Sequence, residues 1–185
     1  MRKLILSISI SLDGFIEGPN REIDWHMVND EYHEYINNVL RAMSMFHQGR
    51  VTHELMAAYW PTADQDPEAG RWTKDFAGIW RDMPKHVYSK TLDDTADWNT
   101  TVKREVDPDE INELKRQPGG DMVVGGADLA SAFRDLDLID EYHLYVTPVL
   151  IGAGNPLFKH GSLQQLTLAE TRTFSNGVVL LRYTR

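Results

Sequence analysis

The amino-acid sequence predicts an α/β fold in which a mostly parallel central sheet carries helices on both faces and ends in an antiparallel hairpin. Three observations carry that expectation. Strand-like and helix-like segments alternate along most of the chain, the signature of parallel strands joined by crossover helices. The last two strand-like stretches, "LTLAETRTF" and "VVLLRYTR", are joined through Ser175-Asn176-Gly177, a tight-turn signal because Asn and Gly tolerate positive φ. Finally, 185 residues at 42% hydrophobic, 10% aromatic and 25% charged describe a globular chain that forms one domain, residues 1–185, without a disulfide or metal staple.

The elements follow in order. Residues 3–11 alternate Ser7, Ser9 and Ser11 with Ile8 and Ile10, the period of a strand. Two basic residues ahead of this stretch imitate a secretory signal, but the alternation and the lack of a small-residue cleavage site argue against one. No apolar run approaches the roughly 20 residues of a membrane span, so a cytoplasmic protein is expected. A helix starts near Asp30, with Tyr32, Ile36, Val39 and Leu40 on one face. A strand over 43–48 leads into a helix after Gly49-Arg50, and "PTADQDPEAG" (61–70) reads as an acidic, turn-rich loop. A helix near 72–83 precedes strands at 85–89 and 98–102. In "DPDEINEL", Asp107 is a cap, Pro108 suits the first turn and Glu110 completes a capping box. A strand over 121–124, a helix after Gly125-Gly126 and a strand over 141–149 complete the set.

Composition excludes several functions. The chain has no cysteine, which removes disulfides, a thiolate nucleophile and Cys-ligated zinc. Nineteen Lys and Arg against 28 Asp and Glu give a net charge of -9, which disfavours nucleic acid and anionic membranes as partners. An anionic ligand therefore needs a locally positive pocket. Histidines at 26, 33, 47, 53, 86, 143 and 160 show no H-x-x-x-H or H-E-x-x-H spacing, so no metal site is expected.

Chemistry concentrates where strands hand over to helices. "FHQGRVTHEL" places Gly49 before a helix, and "MVVGGADLASAF" places Gly125-Gly126 before another. Free N–H groups and the positive end of the helix dipole converge there, and glycine lets a phosphate reach the backbone. Each turn taken alone reads first as a tight βα turn. Two together in one small α/β domain suit a ligand with two phosphates, such as a dinucleotide. A third junction, "HVYSKTL", sets Ser89 beside Lys90. With Arg50 these groups suit the extra 2′-phosphate that separates NADP from NAD. Lys90 also reads as a solvated surface lysine. The usual dinucleotide fingerprint is missing, since "IGAGNPLF" supplies only Gly152 and Gly154 and has Leu157 in place of a third Gly.

In order and rough spacing, "SISLDGFIEG", "QGRVTHE", "VYSKTL", "DMVVGGADLASAF" and "LIDEYHLYVTPVLIGAGNPLF" resemble the dihydrofolate reductase-like superfamily. The match is strongest with stand-alone proteins similar to the reductase domain of bifunctional riboflavin-biosynthesis enzymes. The resemblance implies a three-layer dihydrofolate reductase-like fold that binds NADPH in extended form. The diphosphate is then expected between Gly49-Arg50-Val51-Thr52 and Gly125-Gly126-Ala127, with Ser89 and Lys90 at the adenosine phosphate. The nicotinamide is expected near Ile10, Ser11, Asp13 and Gly14. Aligning Trp25 with the tryptophan that folate reductases carry before their first helix puts Asp30 at their substrate carboxylate. Trp25, His26 and Asp30 are thus the expected substrate-binding residues, with Asp30 either a proton source or only a helix cap. Met83 stands where folate enzymes carry an arginine for the glutamate tail, and Ala130 replaces an aromatic residue, so dihydrofolate itself is a doubtful substrate. Arg81 or Lys85 would have to take that arginine's place. The activity implied is an NADPH-dependent reductase of a small polar or heterocyclic substrate, in a homodimer whose contact includes the apolar strand "YHLYVTPVL". Dihydrofolate reduction is the narrower alternative, and a non-catalytic nucleotide-binding or assembly module is the alternative of another class.

Overall fold

The structure, a computed structural model, describes residues 1–93, 97–159 and 161–185. Its strands are β1 (Leu4–Ser11), β2 (Phe15–Glu17), β3 (Met45–Gly49), β4 (Lys85–Tyr88), β5 (Thr100–Lys103), β6 (Met122–Gly125), β7 (Glu141–Thr147), β8 (Asn155–Pro156), β9 (Thr167–Thr173) and β10 (Val179–Thr184). Its helices are α1 (Asp30–Arg41), α2 (Arg50–Ala57), α3 (Arg71–Asp82), α4 (Pro108–Arg116) and α5 (Ala127–Asp135). Eight strands form one sheet in the order β5-β4-β3-β6-β1-β7-β10-β9. Every neighbouring pair from β5 to β7 is parallel, and β10 runs antiparallel to both β7 and β9. This is the predicted α/β architecture with its C-terminal hairpin.

Alternation along the strands divides the core in two. Leu4, Leu6, Met122 and Val124 pack with Ile111, Leu129 and Phe133 of α4 and α5. Phe46 and Val123 face the other way, onto Phe76 and Trp80 of α3, with Leu40 of α1 and Met56 of α2 alongside. Tyr32, Tyr145, Phe174 and Val178 form a third cluster beneath α1. A parallel sheet buried on both faces normally reads as a near-continuous apolar run. Ser7 and Ser9 of β1 break that rule because they line a cavity instead of core.

Local differences from the sequence expectations have physical causes. Strand β5 starts at Thr100 and not at 98, because Trp98 and Asn99 take φ of 63° and 60°, outside the strand region. Asp107 does cap α4, its carboxylate accepting from Asp109 N at 2.9 Å. Glu110 does not close a capping box, since its side chain pairs with Lys103. The acidic stretch after residue 60 is not simply a loop. Residues Trp60–Gln65 form a 3-10 helix held by Asp64, which accepts two hydrogen bonds from Arg81 at 2.8 and 2.7 Å. The two-stranded ribbon of β2 and β8, too short to leave a periodic signal, was not anticipated. Strand β7 lies inside the sheet, between β1 and β10, so its apolar side chains pack into the core.

Candidate functional site

Two adjoining cavities open along the carboxyl ends of β3, β4 and β6. One, of about 470 Å³, is lined by Gly49, Arg50, Val51, Thr52, Tyr88, Gly126, Ala127 and Asp128, with Arg21 and Asn155 at its wall. The other, of about 380 Å³, lies under α1 and is lined by Ser7, Ser9, His26, Tyr32, Gln48, Gly125, Tyr145 and a set of apolar side chains. They share Ile16, Glu17, Thr52, Leu55 and Gly126, so the two are halves of one cleft. Crevices at strand carboxyl ends are where open α/β sheets hold ligands.

In the first half, α2 and α5 begin at Gly49 and Gly126 with no side-chain cap. Their first-turn N–H groups and dipole ends therefore face the cleft without a capping oxygen. A Cβ added at Gly49 or Gly125 would meet no protein atom within 4 Å, so glycine there keeps space open. Gly126 has φ of 89°, which an L side chain rarely adopts, and a Cβ on it would sit 3.1 Å from Thr52 Oγ1. Arg50 is half-exposed and only loosely paired with Glu54, at 3.5 Å. These residues fit the expected diphosphate cradle.

The other expected coenzyme residues are placed differently. Ser89 and Lys90 follow Tyr88 just beyond the cavity wall. The Ser89 hydroxyl accepts from Thr91 N at 3.2 Å and Leu92 N at 3.0 Å, and its carbonyl accepts from Arg104 at 3.0 Å. Ser89 thus shapes the turn that carries Lys90. Ile10, Ser11, Asp13 and Gly14 line neither cavity. Ser11 Oγ donates to Asp13 at 2.6 Å and accepts from Phe15 N at 3.0 Å. Asp13 also accepts from Gly152 N at 2.8 Å and Ile151 N at 3.3 Å. The Ser11 hydrogen bond foremost, helped by these two N–H groups, holds the Asp13 carboxyl below its usual range. Asp13 therefore fastens the loop after β7 to the loop after β1, beside the β2–β8 ribbon that walls the cleft.

In the second half, the structure brings in His26 but not Asp30. His26 lines the cavity with Trp25 edge-on against it, ring centres 4.2 Å apart, and burial lowers its pKa. Trp25 donates to Glu22 O at 3.1 Å and does not line the cavity. Asn29, not Asp30, caps α1, accepting from Tyr32 N at 2.9 Å. Asp30 is exposed on the first turn, and α1 presents Tyr32, Ile36 and Leu40 to the cavity instead. The Tyr32 hydroxyl lies 2.9 Å from Ser9 Oγ, and burial pushes its pKa up to about 12. Glu17, Arg21, Gln48, Tyr32, Leu55 and Tyr145 are cleft residues that the sequence reading missed. Gln48 offered a signal, being a polar side chain at the end of an apolar strand directly before Gly49.

The places expected to replace the folate-tail arginine are occupied by structure. Met83 is buried, Arg81 is held by Asp64, and Lys85 is 1% exposed with its ammonium donating to the carbonyls of Trp80, Met83 and Trp98. Ala130 is buried in the core under α5. Among the described residues no group of three or more His, Asp or Glu is placed to hold a metal, and no helix is long and apolar enough to cross a membrane. His160 lies outside the described residues.

Sheet order, terminal hairpin and cleft together define a riboflavin-pathway reductase-like fold of the dihydrofolate reductase-like class. The chain belongs to the RibD C-terminal domain family, which it matches over residues 2–180. It is 33% identical to the Bacillus subtilis protein YyaP, over 98% of this chain and 94% of that protein. It also resembles the crystal structure of a putative riboflavin biosynthesis protein from Shewanella sp. PV-4, with a TM-score of 0.76, 20% identity and coverage of 100% and 99%. A pyrimidine reductase-like protein from Corynebacterium diphtheriae superposes with a TM-score of 0.68 at 12% identity, covering 99% of this chain and 91% of that one. The Thermotoga maritima diaminohydroxyphosphoribosylaminopyrimidine deaminase/5-amino-6-(5-phosphoribosylamino)uracil reductase is similar at a TM-score of 0.64 and 15% identity. This chain spans 56% of that protein's length, with 99% of its own covered.

Proposed function

We propose that the protein is an NADPH-dependent reductase of a small heterocyclic compound. The observation that carries this reading is the pair of uncapped helix starts at Gly49 and Gly126 on one cleft wall, with open space where Gly49 lacks a Cβ. Two such starts suit the two phosphates of a dinucleotide. When bound, the coenzyme supplies a hydride from its reduced nicotinamide. N–H groups of Arg50, Val51 and Thr52 and of Ala127 and Asp128 hold the diphosphate. Arg50 and Lys90 hold the 2′-phosphate, and Ser89 keeps the Lys90 turn in shape. Ile16, Leu55 and Thr52, common to both cavities, exclude water where the two ligands meet. Asp30, which lines neither cavity, takes no part in this scheme. The protein works as a soluble homodimer, which light scattering at twice 21.2 kDa supports and the mass of one chain contradicts.

Fluorescence titration with NADPH and NADH, followed by a turnover screen, tests the reading. NADPH is expected to bind about tenfold or more tightly than NADH, the value of one or two hydrogen bonds to a charged group. Replacing Arg50 and Lys90 together by Ala is expected to abolish the difference. Equal affinities in the parent protein contradict the assignment, and NADPH binding with no oxidation by any substrate favours a non-catalytic nucleotide-binding module.

A further inference from the structure

The cavity under α1 restricts what can be reduced. Ile23, Ile36, Leu40, Phe46, Met56 and Phe76 make its walls. Among its lining residues there is no Lys or Arg, and Glu17 is the single acidic side chain. Burial lowers the pKa of His26 and of His47, the two histidines of the lining. Gln48 is 5% exposed, and its side-chain oxygen has no hydrogen-bond partner. His26 Nε2 is also buried without one. A phosphate or carboxylate brought here would lose water and gain neither Lys nor Arg from the described lining, which disfavours it. A ring compound with one donor group would instead cover apolar walls and satisfy the Gln48 oxygen. A volume of about 380 Å³ is at the small end of the range for ligand pockets, roughly 300–1,000 Å³.

We infer that the cavity under α1 takes an uncharged, flat, largely apolar ring compound with a hydrogen-bond donor for Gln48, and rejects phosphorylated sugar derivatives. This rests on the reductase reading for its chemistry, but its binding test does not. It separates this protein from one acting on a phosphoribosyl compound, as the name of the Thermotoga maritima neighbour describes for that protein.

Isothermal titration of the full chain with 2-naphthol, 2-naphthyl phosphate and uridine 5′-monophosphate, each with and without saturating NADPH, tests the inference. The expected result is that, with NADPH saturating the adjoining half, 2-naphthol binds at least about tenfold more tightly than either phosphate. Ile23, 52% exposed at the rim, tolerates a charge, and Ile23→Lys is expected to raise 2-naphthyl phosphate affinity about tenfold. With NADPH present, a phosphate ester that binds the parent protein as tightly as 2-naphthol overturns the inference. So does failure of 2-naphthol to bind. Binding of 2-naphthol by a protein that ignores NADPH upholds it while overturning the coenzyme assignment, so the two readings fail separately.

Discussion

The two halves of the cleft share Thr52, Leu55 and Gly126 yet differ in kind. On one side, Arg21, Arg50 and two uncapped helix starts face the cleft alongside Glu17 and Asp128, the latter paired with Lys159, on a chain of net charge -9. On the other, among the described residues the lining carries no Lys or Arg, and burial lowers the pKa of both its histidines, His26 and His47. Backbone N–H groups cost the sequence only a glycine, whereas an apolar pocket must be assembled from side chains on several elements. Under the proposed function, one half would recognise fixed anionic groups by main chain, and the other would recognise shape.

Filling the coenzyme half should break the contrast most completely. Gly49→Leu places a side chain in space where a Cβ meets no protein atom, so folding should survive. NADPH affinity is expected to fall on the order of 100-fold, the loss of two charge-assisted hydrogen bonds, with the thermal midpoint nearly unchanged. Unchanged affinity would show that phosphates lie elsewhere.

Loosening the wall should have a smaller effect on both halves. Asp13→Ala removes the acceptor for Gly152 N and Ile151 N. It is expected to cost about 1–2 kcal/mol in chemical denaturation and to weaken NADPH and 2-naphthol by similar factors. A change confined to NADPH would mean that Asp13 touches the coenzyme directly.

Tyr32→Phe sharpens the comparison from the substrate side. It removes the hydroxyl 2.9 Å from Ser9 and should cost about 0.5–1.5 kcal/mol while leaving NADPH affinity within twofold. A tenfold loss of NADPH binding would place the coenzyme beneath α1.

The smallest effect at neutral pH concerns a charged cluster away from the cleft. Burial pushes the Glu141 pKa up, but hydrogen bonds from Lys3, His143 and Arg182 outweigh it and bring the pKa down from 4.5 to about 2. Glu170 shares Arg182 at the same place. Since the folded pKa is depressed, the stabilisation is full above about pH 4.5 and is lost as pH falls towards 2. Denaturation midpoints between pH 6 and pH 3 should therefore decline, and Glu141→Gln should flatten that decline. Identical profiles for the two proteins would contradict the assignment.

Much of the fold was legible because strand period, helix period and turn chemistry agreed along the chain. The glycines show where legibility ended. Gly120 and Gly125 look alike in sequence, but a Cβ on Gly120 would strike Ala42 O at 2.2 Å, while one on Gly125 meets open space. One pair serves packing and the other serves the cleft. Asp30 was misplaced although the helical phase held a warning. It stands two positions before Tyr32, roughly 200° around α1 from the face the apolar residues mark. The apolar half of the cleft was invisible because Ile23, Leu40, Phe46, Met56 and Phe76 come from separate elements and read individually as core.

A crystal structure of the protein with NADPH would test the division of the cleft most directly. The account predicts the diphosphate on the N–H groups of Arg50–Thr52 and Ala127–Asp128, the 2′-phosphate towards Arg50 and Lys90, and the nicotinamide at Thr52 and Leu55 facing the cavity under α1. A coenzyme whose phosphates lie beneath α1, beside Gln48 and Tyr32, would contradict it.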